Sequence, residues 1–158
     1  MPRGLAAGPS SPGYPPTTLQ ATGIGVFGLY GSIAALAVNL TLATVINAVG
    51  IRPQRGTHAN WQLGTNDGTG APSLTDMGAA FAIATGGVLT LFILAPPNGS
   101  SVWVPAVNEV TGAIFEQEIT ADLPANTQFL SPRLYLNTGA TAAAVVYDCA
   151  GLYLEADY

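Results

Sequence analysis

The sequence predicts an all-β protein, an antiparallel β-sandwich of jelly-roll type with an extended N-terminal arm. Three observations carry this. Large apolar residues alternate with small or polar ones over short runs, those runs recur at intervals of roughly 8 to 15 residues, and Gly, Pro and Asn stand between them. The 158 residues include 19 glycines and 12 prolines, which supply that punctuation. Residues 1–18 form a Pro/Gly/Ser arm with no periodicity to bury, and residues 19–158 form the sandwich. An arm of this composition orders only against a neighbour, so Pro2, Arg3, Pro12, Tyr14, Pro15 and Pro16 are its expected assembly contacts.

Within the domain, Leu36, Val38, Leu40 and Leu42 alternate with Ala37, Asn39, Thr41 and Ala43, the two-residue period of a half-buried strand. Trp61 and Leu63 alternate with Asn60 and Gln62, and Asn66, Asp67 and Gly68 make a turn. Leu74–Phe81 could form a helical turn capped by Ser73 or Thr75. Val88 to Leu94 is apolar enough to be a fully buried strand, ended by Pro96, Pro97, Asn98 and Gly99. Val102, Trp103 and Val104 open the next strand, which turns through Asn108–Gly112 into a strand from Ala113 to Thr120. Leu123–Asn126 breaks the pattern. Leu134 and Leu136 then alternate with Arg133 and Tyr135, and Ala142–Glu155 reads as a long last strand with both faces apolar.

Composition excludes several functions. The cations are Arg3, Arg52, Arg55 and Arg133, with no lysine, so no basic stripe can displace counterions from a nucleic acid. A lone Cys149 makes no internal disulfide, and with a single His58 the usual zinc ligand sets cannot be assembled. Residues 24–51 are apolar enough for a spanning helix, yet glycines crowd the start, Asn39 and Asn47 lie inside, and the alternation fits a strand, so no membrane insertion is expected. The first sixteen residues are too rich in proline for a signal peptide. Charged residues make up 8%, about a third of the usual share, which leaves little polar material to cover a solitary monomer.

The candidate sites are sparse. Glu116 and Glu118 stand two apart on one strand, with Cα atoms about 6.5–7 Å apart on the same face, a spacing that glycoside hydrolysis could use. Simple alternation against Phe115, Gln117 and Ile119 accounts for them equally well. His58 reads as an exposed loop residue, since a triad would require Asp67 or Asp76 and a nucleophile beside it. Cys149 reads as a buried apolar filler within the last strand. Asn66, Asp67 and Asp76 offer oxygens but no calcium-loop spacing. The sequons at Asn39 and Asn98 are frequent by chance. No catalytic residue, cofactor or metal is expected.

Three stretches, taken together, resemble a family of small domains in bacteriophage virion proteins of the tail-fibre and minor structural type. The first comprises Trp61–Leu63, Asn66–Gly70 and Thr75–Phe81; the second is Leu91–Val102. The third runs from Leu123–Thr127 through Asn137–Thr141 to Leu152–Tyr158, so the likeness covers about residues 57 to 158. The resemblance implies a β-sandwich module on the virion exterior with no catalytic residues to carry over. This chain departs from the pattern in being short and without a fibre region.

An acidic chain of net charge −5 would be repelled by packaged DNA, which agrees with an exterior place. The expectation is therefore a non-enzymatic virion protein, a capsid decoration or head-fibre subunit attached through its arm, with a short tail-fibre or receptor-binding tip as the alternative and a hydrolase using Glu116 and Glu118 as a third. Its expected partners are other virion proteins, copies of itself in a homotrimer, and a host surface glycan or protein reached through Asn66, Asp67, Asn98 and Ser100.

Overall fold

The structure is a computed structural model that describes residues 24–31, 44–54, 57–83, 86–97, 99–137 and 149–155. The arm and the alternating run Leu36–Leu42 lie outside the described residues. Within them the chain forms β1 (Ile24–Tyr30), β2 (Ala48–Ile51), β3 (Gln62–Asn66), β4 (Ser73–Asp76), a 3-10 turn at Ala79–Phe81, β5 (Leu89–Leu91), β6 (Val102–Asn108), β7 (Ala113–Ile119) and β8 (Ser131–Asn137). The all-β expectation holds. All pairings are antiparallel, in a five-stranded sheet ordered β4-β3-β2-β1-β8 and a three-stranded sheet ordered β5-β6-β7. Each pairing joins strands adjacent in sequence except that of β8, which returns to lie beside β1.

The two sheets meet over one apolar core. Val49, Ile51 and Leu63 from the large sheet pack with Val102, Val104 and Ala106 from the small one, and Met77 and Phe81 close the cluster. Full burial of side chains of this kind contributes about 1.5–3 kcal/mol each. Phe81 meets Phe115 edge-on with ring centroids 6.1 Å apart, and Phe27 tilts against Trp61 at 5.6 Å. The opposite face of the large sheet is also covered, around Val26, Tyr30, Val45 and Ala48, with Tyr135 against them. Strands β2 and β3 are consequently buried on both faces.

Four expectations change. The run Val88–Leu94 is not fully buried: β5 is a short edge strand, and Val88, Phe92 and Leu94 are each about half exposed. The pairings Leu91↔Ala106 and Leu94↔Trp103 belong to one register, which sets Phe92 opposite Pro105. Phe92 donates to Pro105 O at 2.9 Å, but Pro105 has no N–H to return, so the ladder is interrupted there.

The helical turn expected over Leu74–Phe81 is confined to Ala79–Phe81, and its N-cap is Gly78 rather than Ser73 or Thr75. Ser73 and Thr75 belong instead to β4, whose backbone pairs with β3. The last strand does not extend through 149–155: those residues carry no regular structure and are exposed, while 142–148 lie outside the described residues. Cys149 is accordingly exposed, not buried. In β8, Tyr135 packs against the covered face and Leu134 is half exposed. The two segments of the apolar run 24–51 that are described at length, β1 and β2, are strands, and no helix among the described residues is long and apolar enough to cross a membrane.

The connections are held by side chains. Asn108 Oδ1 accepts Val110 N at 3.1 Å, Gly112 N donates to Asn108 O at 2.7 Å, and Gly112 takes φ 73°, closing the expected β6–β7 hairpin. In the β3–β4 connection Asn66 Oδ1 accepts Gly68 N at 2.7 Å and Asp67 Oδ1 accepts Thr69 N at 2.7 Å. Beyond β4 the chain doubles back along residues 59–61, with Met77 N on Trp61 O, Trp61 N on Phe81 O and Ile83 N on Ala59 O.

Candidate functional site

Strand β7 alternates as expected, with Phe115, Gln117 and Ile119 half-buried and Glu116 and Glu118 exposed. Across the ladder, Glu118 stands beside Trp103 and Glu116 beside Pro105. The register extends this outer face to Leu94 beside Trp103 and to Thr90, Val107 and Ile114 in another row. The result is an apolar surface with carboxylates at one margin: Trp103 is 43% exposed, Leu94 47%, Phe92 48% and Ile114 67%. An unbroken apolar run thus has one face in the core and the other in solvent. Sequence reasoning took both faces as buried, because periodicity alone does not separate the two cases.

Glu116 and Glu118 are both exposed at this margin. Glu118 also borders a groove of about 220 Å³ between the sheets, lined on one side by Thr65, Ser73 and Thr75 and on the other by Ile119 and Thr120. Its hydroxyls can bind polar groups, but no histidine or cysteine among the described residues lines it to activate a nucleophile.

Of the expected contact residues, Asn66 is fully buried, and Asp67 is half-buried with its backbone N–H bound to Asp122 Oδ1 at 2.9 Å. Ser100 is exposed, and Asn98 lies outside the described residues. Neither Asn66 nor its carboxamide oxygen, which holds Gly68 N, is presented to a partner. Pro2, Arg3, Pro12, Tyr14, Pro15 and Pro16 lie outside the described residues.

His58 is half-buried rather than exposed, and its Nδ1 has no hydrogen-bond partner. It lies close enough to Asp76 to act on it electrostatically. Asp76 Oδ2 accepts Gln62 Nε2 at 3.0 Å, and Oδ1 accepts Asn60 Nδ2 at 2.9 Å and Gly78 N at 2.6 Å. Those bonds, that from Gln62 foremost, hold its carboxyl below the usual range. The cluster fastens β4 and the following turn to β3. No group of three or more His, Cys, Asp or Glu among the described residues could hold a metal ion.

Sequence reasoning missed one further arrangement. Arg52 follows β2 on the face carrying Ala48 and Gly50, and it is fully buried. Glycine makes its place. Gly28, Gly50 and Gly64 stand side by side in register across β1, β2 and β3. A Cβ at Gly28 would strike Val49 O, and one at Gly50 would strike Phe27 O, so the strands approach too closely there for side chains. Arg52 lies across Gly64, its Nη1 donating to Val45 O at 3.4 Å and its guanidinium carbon 5.9 Å from the centre of the Tyr30 ring. The alternation Ala48, Gly50, Arg52 was the available signal, since it assigns all three to one face.

Comparison of the chain with protein-family models, with curated proteins and with solved structures finds no match.

Proposed function

We propose that the chain is a non-enzymatic structural subunit of a bacteriophage virion, a decoration or head-fibre protein on the particle exterior, joined to other virion proteins by its N-terminal arm and to copies of itself in a trimer. The jelly-roll winding of the sandwich and the role of residues 1–18 as an arm belong to this proposal. The observation that carries it is the outer face of the three-stranded sheet, where Phe92, Leu94, Trp103 and Ile114 stand in solvent although the chain has few charges with which to keep such a face soluble. A contiguous apolar face of this kind is what a subunit buries in an assembly. Exposed Phe129, and Leu152, Tyr153 and Leu154 near the end of the chain, add to the surface that partners would cover.

Electron cryomicroscopy of intact particles tests the reading by counting and locating the chain. Copies in an icosahedral lattice, lost on deletion of residues 1–18, are the expected result. A few copies at the tail would replace decoration by a receptor-binding or tail-fibre role, and absence from the particle would end the proposal.

A further inference from the structure

Arg52 and Asn66 are 0% exposed and Tyr30 is 2% exposed, on one face of the large sheet. The register places Tyr30, Ala48 and Asn66 side by side across β1, β2 and β3. The side chain of Arg52 runs back over Gly64 toward this row, as its bond to Val45 O and its approach to Tyr30 require. Four polar atoms here have no hydrogen-bond partner among the described residues: Arg52 Nε and Nη2, Tyr30 Oη and Asn66 Nδ2.

Every one of the four has a hydrogen to donate. The acceptors within reach of Arg52 are a single carbonyl at the limit of bonding distance and the Tyr30 hydroxyl, both of them uncharged. Asp122 acts on the guanidinium only through space, because its own oxygens hold Asp67 N at 2.9 Å and Ser73 N at 2.7 Å. A buried guanidinium without a counter-charge costs several kcal/mol. Water could occupy the donors but would leave the charge unbalanced, whereas an anion meets both needs.

We propose that this face of the sheet is a binding site for one small free anion, a halide or a simple carboxylate, held by the Arg52 guanidinium with Tyr30 Oη and Asn66 Nδ2 as further donors. The site is independent of the virion reading. Its consequence is that the stability of the fold depends on the anion in its surroundings.

The test follows thermal unfolding of the full chain in rising sodium chloride or sodium formate, with ionic strength held constant by a bulky sulfonate buffer salt and samples equilibrated long enough for a buried site to exchange. For the native protein the midpoint should climb by roughly 3–5 °C per tenfold rise in anion above saturation. Arg52→Met should remove that dependence, and Tyr30→Phe, which keeps the ring and the charge, should shift it to a higher anion concentration. A native midpoint indifferent to both anions overturns the proposal, as does an equal climb in Arg52→Met or, should that variant not fold, an unshifted dependence in Tyr30→Phe.

Discussion

Arg52 occupies the space that a side chain at Gly64 would need: a Cβ built on Gly64 would stand 2.7 Å from Arg52 Cδ and 2.9 Å from its Nε. Neither partner can give way easily. Gly64 lies in a strand buried on both faces, and the stem of Arg52 is enclosed. The missing side chain is therefore the condition for the buried cation.

Gly64→Ala should destabilise the fold by about 1–3 kcal/mol, the usual cost of overpacking an enclosed site. Urea unfolding measures it. In an Arg52→Ala background the same substitution should cost under about 1 kcal/mol, because the obstructing stem is gone, and the difference between the two costs is the coupling. Equal costs in both backgrounds would place the strain elsewhere.

Asp122 clips two distant points of the chain. It adopts φ 54° in the segment after β7, and its carboxylate accepts Asp67 N and Ser73 N, the two ends of the β3–β4 connection. Asp122→Ala leaves both donors without that acceptor and should cost about 1–3 kcal/mol, with hydrogen exchange at the Asp67 and Ser73 amides accelerated well before global unfolding. Retention of both protections in the variant would refute the clip.

How much of this was legible beforehand varied with the kind of interaction. The strand at β7 and the turn at Asn108–Gly112 were readable because alternation and turn chemistry are local. The turn at Asn66 was equally readable, but the inward orientation of its side chain was not. That orientation follows from β3 being covered on both faces, a tertiary fact. The same holds for Arg52, whose burial depends on glycines 24, 2 and 12 positions away in the chain meeting in one row. Leu94 misled for a different reason. An apolar run looks identical whether its second face meets a core or awaits a partner.

Stability should fall at both ends of the pH scale for identifiable reasons. Burial pushes the Tyr30 hydroxyl up to about 12, the Arg52 charge offsetting it only in part. Below pH 10, Tyr30 is protonated in both states and its contribution is complete. As pH rises from 10 toward 12 the unfolded chain ionises first, so about 2–3 kcal/mol is lost across that interval. Tyr30→Phe should flatten the alkaline fall, measured by urea unfolding between pH 9 and 12. At the acid end Asp76 has its folded pKa depressed, so its contribution is present above the unfolded value near 3.9 and is lost as pH falls through the folded one. Asp76→Asn should flatten that limb, and an unchanged acid profile would show that the bonds from Gln62, Asn60 and Gly78 contribute nothing.

The outer face of the small sheet separates assembly from folding. Trp103 and Ile114 lie on it in solvent, while their strand neighbours Val102, Val104 and Phe115 support the core. Replacing Trp103 by Ser and Ile114 by Lys should therefore change the stability of the isolated subunit by no more than about 1 kcal/mol. Self-association is another matter, because a lysine in a buried apolar contact must be desolvated without a partner. Light scattering coupled to size exclusion should show the native chain as an oligomer and the double variant as a monomer with native circular dichroism. Should the variant assemble as the native chain does, the subunit contact lies on another surface, and the exposed apolar residues at Phe129 and Leu152–Leu154 become the next to substitute.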